Sequence, residues 1–141
     1  MDPRITLITL GVSDMARARV FYETLGWKAS SSSQPEVTFF QGNGLALALF
    51  GRGDLAKDAG VEDRPTGFSA ISLAYNARSK AEVDAVFAQA LAAGAQGIKP
   101  PHDVFWGGYS GYFADPDGHI WEAAFAPGFS MSGDGRLEIP A

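Results

Sequence analysis

The stretch Leu7-Ile8-Thr9-Leu10-Gly11-Val12 decides the fold, because it comes back as Ala70-Ile71-Ser72-Leu73-Ala74-Tyr75. Each copy leads into a helical stretch, Val20-Phe21 to Leu25-Gly26 after the first and Val86-Phe87 to Leu91 after the second. Each then closes on hairpin-like runs that end at Phe50 and Phe125. Repetition sets architecture before any single residue does, and two copies are too few to stack into a solenoid. A pseudo-symmetric pair of modules remains. Symmetry also lets the copies be compared position by position, and function is expected where they differ.

Residues 5–12 alternate and are β-rich, which predicts a strand. Ser13-Asp14 supplies a helix N-cap, and Met15, Ala18, Phe21, Tyr22 and Leu25 then recur at helical spacing until Gly26. Trp27 to Ala29 reads as a short strand and Ser30 to Gln34 as a polar loop. Two strands, 37–41 and 45–50, flank the tight-turn signal Gly42-Asn43-Gly44. Residues 51–65, with glycines, mixed charges and Pro65, read as a linker.

The second module repeats the order. A strand over 68–75 precedes a helix capped by Ser79, with Val83, Val86, Phe87, Ala90 and Leu91 on its apolar face. Gly94 and Gly97 end that helix, and Pro100-Pro101 breaks the chain. An aromatic run from Phe105 to Phe113 leads into the turn Asp115-Pro116-Asp117-Gly118 and a last strand, 119–125. Residues 127–141 read as a partly ordered tail. Each half is βαβββ, giving an α+β chain of eight strands. The expected boundaries are one domain over 1–126, with module one at 5–50, the linker at 51–65 and module two at 66–126.

A chain of 141 residues buries a sufficient core without disulfides, and the absence of cysteine excludes thiolate metal sites and cysteine nucleophiles. The opening Met1-Asp2-Pro3-Arg4 runs into a strand without a signal pattern, and no apolar stretch reaches bilayer length. A cytoplasmic protein without a membrane partner is expected. Net charge is −5 with no Lys/Arg cluster, so nucleic acid is not expected as a partner.

The run Gly11-Val12-Ser13-Asp14-Met15, with Phe21-Tyr22 and Leu25-Gly26, resembles the opening of the glyoxalase / bleomycin-resistance / extradiol-dioxygenase superfamily, also called vicinal oxygen chelate. The run from Gly108 to Glu122 is similar to its closing signature, and the likeness covers residues 5–126. It implies two βαβββ modules curled into an eight-stranded sheet around a central cleft. It further implies a divalent metal on His/Glu ligands, at positions that fall here on Leu7, Ala48, Ala70 and Glu122. The repeat aligns the same positions, Leu7 with Ala70 and Ala48 with Glu122. Three of these side chains cannot coordinate an ion, and one carboxylate makes a poor cage. No bound metal and no cofactor are expected.

Strand alternation places Ile8, Leu10, Leu45, Leu47, Leu49, Ile71, Leu73, Trp121 and Phe125 toward the helices. The opposite set, including Leu7, Thr9, Ala48, Phe50, Ala70, Ser72, Ala74, Glu122 and Ala124, is mostly small. Small side chains on a concave sheet leave volume for a ligand. Phe39, Trp106, Tyr109 and Tyr112 are candidate walls, against the alternative of ordinary packing. Phe50, Thr9, Ser72 and the loop residue His102 complete the expected contacts. Glu122 is a candidate general acid–base, a carboxylate for a ligand amine or guanidinium, or a leftover ligand position hydrogen-bonded to Thr9, Ser72 or a tyrosine.

Three functions follow. The first is a metal-free small-molecule binding protein, resembling the drug-sequestering branch of the family, with a cationic or aromatic guest and a homodimeric assembly. The second is a metal-free enzyme with Glu122 as base. The third is a lyase, isomerase or dioxygenase with a rebuilt metal site, to which His102 would contribute.

Overall fold

The computed structural model describes residues 5–64 and 67–139. Met1-Asp2-Pro3-Arg4, the end of the expected linker at Pro65, the start of the second module at residue 66 and the last two residues of the tail lie outside them. The chain is α+β and divides between Ser69 and Ala70 into two compact units. No described helix is long and apolar enough to cross a membrane.

In the first unit, β1 (Leu7–Val12), β2 (Val37–Gln41) and β3 (Ala46–Gly51) form a sheet in the order β1-β3-β2. β1 runs parallel to β3 and β2 antiparallel to it. Helix α1 (Met15–Thr24) starts where the Asp14 side chain accepts the Arg17 N–H at 3.0 Å. Gly26, at φ 99°, lets the chain leave after it. Its buried residues Ala18, Phe21 and Tyr22 lie over a face holding Phe40, Leu47 and Leu49. The Phe21, Tyr22, Phe40 and Trp27 rings follow one another at 5.1–6.2 Å. Full burial of each such ring contributes roughly 1.5–3 kcal/mol.

Two expectations change here. The linker holds a helix, α2 (Arg52–Ala59), which ends at Gly60 in the left-handed region, φ 70°. Its one large apolar residue, Leu55, gives no periodicity to read; α2 is set by a close approach to β1. A Cβ at Gly11 would stand 3.3 Å from the Arg52 Cα and 3.4 Å from Leu55 Cδ2. Trp27 to Ala29 contributes only one bridge, Ala29 with Phe40.

The second unit orders its strands β4 (Leu73–Asn76), β7 (Ile120–Phe125), β6 (Tyr109–Ala114) and β5 (Gln96–Asp103). β4 and β7 are parallel and the other pairs antiparallel. Helix α3 (Lys80–Ala92) covers one face, with Val83 against Ala77 and Ala123 and with Val86, Tyr109 and Phe125 packed around them. Phe87 meets Phe113 edge-on at 6.3 Å, and Phe113 stacks on Trp121 at 6.5 Å.

The strand expected over 68–75 is shorter, because Ala70 takes φ 58° and the ladder begins at Leu73. Ile71, expected in the core, is therefore exposed. Pro100-Pro101 does not break the chain but lies inside β5. β5 is an edge strand with register shifts between Gly97 and Lys99 and between Lys99 and His102, so its missing N–H groups cost little. Past β7, the tail forms a hairpin of β8 (Ser130–Met131) and β9 (Leu137–Glu138).

Candidate functional site

The turn before β7 sets which side chains reach the open face of the second sheet. Asp115, buried, accepts the N–H groups of Asp117 and His119 on one carboxylate oxygen at 2.9 and 2.8 Å. Gly118 supplies the positive φ, 90°, that the turn needs. β7 then starts in a fixed register. Trp121, Ala123 and Phe125 face α3, while Ile120, Glu122 and Ala124 face away from it.

Glu122 is half-buried between Ala74 on β4 and Tyr112 on β6, its direct cross-strand partners. The Tyr112 hydroxyl is pushed above its ordinary value of 10.0, first by burial and then by its hydrogen bond to the Glu122 carboxylate and that group's charge. The next row pairs Asn76 with Ala124. The methyl groups of Ala74 and Ala124 leave a hollow beside the acid. It is a pocket of about 340 Å³ lined by Asn76, Trp106, Glu122, Ala124 and residues 126–129. That volume falls at the low end of small-molecule sites, roughly 300–1,000 Å³.

The loop between β5 and β6 brings in Trp106. Val104 N–H donates to the Gly108 carbonyl and Gly107 N–H to the Val104 carbonyl, each at 3.0 Å. Gly107 takes φ 92°, and a Cβ at Gly108 would fall inside the Trp106 indole. The two glycines thus let the ring fold back over its own loop and wall the pocket. On the opposite side the chain turns after β7, with Phe129 N–H donating to the Ala126 carbonyl at 3.0 Å. The hairpin that follows is tied to the start of α3 by Arg78 Nη2, which donates to the Ser132 carbonyl at 3.2 Å.

The structure thus brings together Glu122, Trp106 and, beside the acid, Tyr112. His102 pairs with Ser110, putting it on the same face as Glu122 but two strands away, roughly 10 Å. Its Nδ1 donates to the Pro100 carbonyl at 3.0 Å. Tyr109 lies on the α3 face, where its hydroxyl donates to Asp84 Oδ1 at 2.8 Å and Lys80 Nζ sits 5.5 Å above its ring. Ser72 is exposed just before β4. Thr9, Phe39 and Phe50 belong to the first unit, on the sheet face away from α1, with Thr9 and Phe39 flanking Ala48 in one row. Asn76 and Phe129 were not expected. Asn76 stands one residue past the predicted strand, in the parity of Ala74, and Phe129 falls in the segment read as tail.

The family model described as the Glyoxalase/Bleomycin resistance protein/Dioxygenase superfamily matches residues 4–123. The chain belongs to this superfamily. A solved structure described as a glyoxalase-related enzyme from Fulvimarina pelagi is 38% identical, with 99% of each chain covered and a TM-score of 0.88. A superfamily protein from Nocardioides is 28% identical over 99% of this chain and 91% of its own, TM-score 0.75. Lactoylglutathione lyase from Agrobacterium tumefaciens, at 22% identity, TM-score 0.65 and coverage of 88% and 94%, shares the fold. No curated protein matches the sequence.

The residues do not fit the metal centre that the superfamily resemblance implies. Among the described residues, no group of three or more His, Asp or Glu side chains comes together to hold an ion. The registers also move one of the four positions. Ala48 pairs with Thr9 and Glu122 with Ala74, so the counterpart of Leu7 is Ser72, two residues beyond Ala70. Leu7, Ala48 and either residue offer at best one neutral hydroxyl beside the Glu122 carboxylate, a poor donor set for a divalent cation.

Proposed function

We propose that this superfamily member is a small-molecule binding protein whose guest occupies the pocket beside Glu122. One observation carries the reading: Glu122 and Trp106, from different elements, line the same pocket. A concave, largely apolar site with a few convergent polar groups is the usual form of a ligand site.

The test is saturation-transfer NMR with a library of small aromatic and amine fragments, on the wild-type chain and on Trp106→Ala and Glu122→Gln. Fragments that bind the wild type and are weakened by either change support the site. Binding untouched by both changes overturns it. Elemental analysis after exposure to zinc, nickel, manganese and iron(II) checks the metal-free part. Less than stoichiometric metal is expected, and one equivalent per chain overturns it.

A second reading is favoured by the cross-strand pairing of Tyr112 with Glu122, which sets a phenol beside the carboxylate. In it Glu122 is the base of a metal-free enzyme, in keeping with the description of the Fulvimarina pelagi relative as an enzyme. Turnover of a bound compound that Glu122→Gln abolishes while retaining binding would establish it.

A further inference from the structure

We infer that the occupant of the pocket is an organic ammonium ion on a small apolar body, its nitrogen held between the Glu122 carboxylate and the Trp106 indole. This rests on the binding reading above and names the class of guest.

Glu122 is the one charged residue in the lining, and no basic side chain lines the pocket. Tyr112, its cross-strand partner, has one hydroxyl proton to offer the carboxylate, which can accept several more. A guest that expels water must therefore replace what hydrated that acid, or leave a desolvated charge unpaired. An anion adds repulsion to the same cost. A neutral guest with no donor leaves the acid unmet. An ammonium meets it directly.

The other walls suit the same guest. The faces of Trp106 and Phe129 carry the negative side of the aromatic quadrupole, which attracts a cation. Asn76 adds an uncharged polar residue to the lining, while Ala124, Ala126 and Pro127 give it apolar surface for the body of the guest. Cations on the same sheet face do not replace the guest. Lys99 is exposed on β5, opposite Tyr112, and the His102 ring is engaged by the Pro100 carbonyl. Gly107 and Gly108 fold the indole back over its own loop, so binding loses little side-chain freedom there.

Isothermal titration of the full chain at neutral pH with benzylammonium, benzyl alcohol and benzoate tests this. The cation is expected to bind about tenfold or more tightly than either other probe. Glu122→Gln, nearly isosteric, removes that preference, with the cation losing far more affinity than benzyl alcohol does. Trp106→Ala weakens the cation, and Trp106→Phe, which keeps an aromatic face, restores most of the loss. Melting curves confirm that each variant folds. Equal affinity for cation and alcohol, or a cation preference that survives Glu122→Gln, overturns the ammonium assignment. If Trp106→Ala still weakens the alcohol in that case, the binding reading stands. Failure of all three probes at millimolar concentration overturns the assignment, and the fragment screen then decides the binding reading separately.

Discussion

Ala70 holds φ 58°, where an L-residue's Cβ crowds the following carbonyl at a cost of about 1–2 kcal/mol. Glycine relieves this but adds about 0.4–1 kcal/mol of unfolded-chain freedom. Ala70→Gly is therefore expected to raise the urea midpoint slightly, and a lower midpoint would show that the methyl makes a compensating contact. Gly108→Ala acts oppositely, since its Cβ would occupy the space of the Trp106 ring. The indole must swing off the pocket wall, so ligand binding should fall by about tenfold or more while the fold persists. Ultraviolet titration should place Tyr75, Tyr109 and Tyr112 above 10.0; in Glu122→Gln only Tyr112 should move, and only part of the way back, because burial is the larger cause there. The same residues mark what the sequence could disclose. Parity survives an error of two, so Glu122, Ala74 and Ala124 were assigned to the correct face, whereas the match of Leu7 to Ala70 was not. Only the ladder, starting at Leu73, reveals the offset.

Among the elements, the start of α3 lends itself to measurement. Ser79 accepts the Glu82 N–H at 3.1 Å, and Glu82 accepts from the Arg78 N–H and the Tyr75 hydroxyl, each at 2.7 Å. Ser79→Ala should cost about 1 kcal/mol. The Tyr75 hydroxyl, then the Arg78 N–H, holds the Glu82 carboxyl below its ordinary 4.5. A lowered carboxyl stabilises the fold above the unfolded value and loses that contribution as pH falls through the folded one. The melting difference between wild type and Glu82→Ala should therefore be full at neutral pH and shrink below 4.5. Ser79 itself was readable in advance as the cap, whereas the part played by Glu82 was not. α2 was not readable, because a helix with only Leu55 to bury has no apolar stripe. Nor was β5. Prolines argue against a strand until the structure shows an edge with shifted register, and Gly111 leaving room for Pro101, whose ring nitrogen would stand 2.8 Å from a Cβ there.

Across the whole chain, the second unit separates its labour by face. The α3 side is a ring-filled core, and Phe113→Ala, deleting a buried ring between Phe87 and Trp121, should cost roughly 3–5 kcal/mol in chemical denaturation. The opposite side keeps alanines around one acid. That division follows from alternation and was legible, as were the superfamily and most of the helices and strands. The pocket was only half legible. Glu122 and Trp106 stand in patterned sequence, but the wall at residues 126–129 comes from a stretch rich in proline and glycine with no periodicity.

The family match ends at residue 123, and the pocket wall at residues 126–129 lies beyond it. The sheet is the chassis and the segment after it a separate wall, clipped in place by the Arg78 contact to Ser132. Substitutions confined to residues 126–129 would reshape the proposed pocket while leaving the sheet untouched.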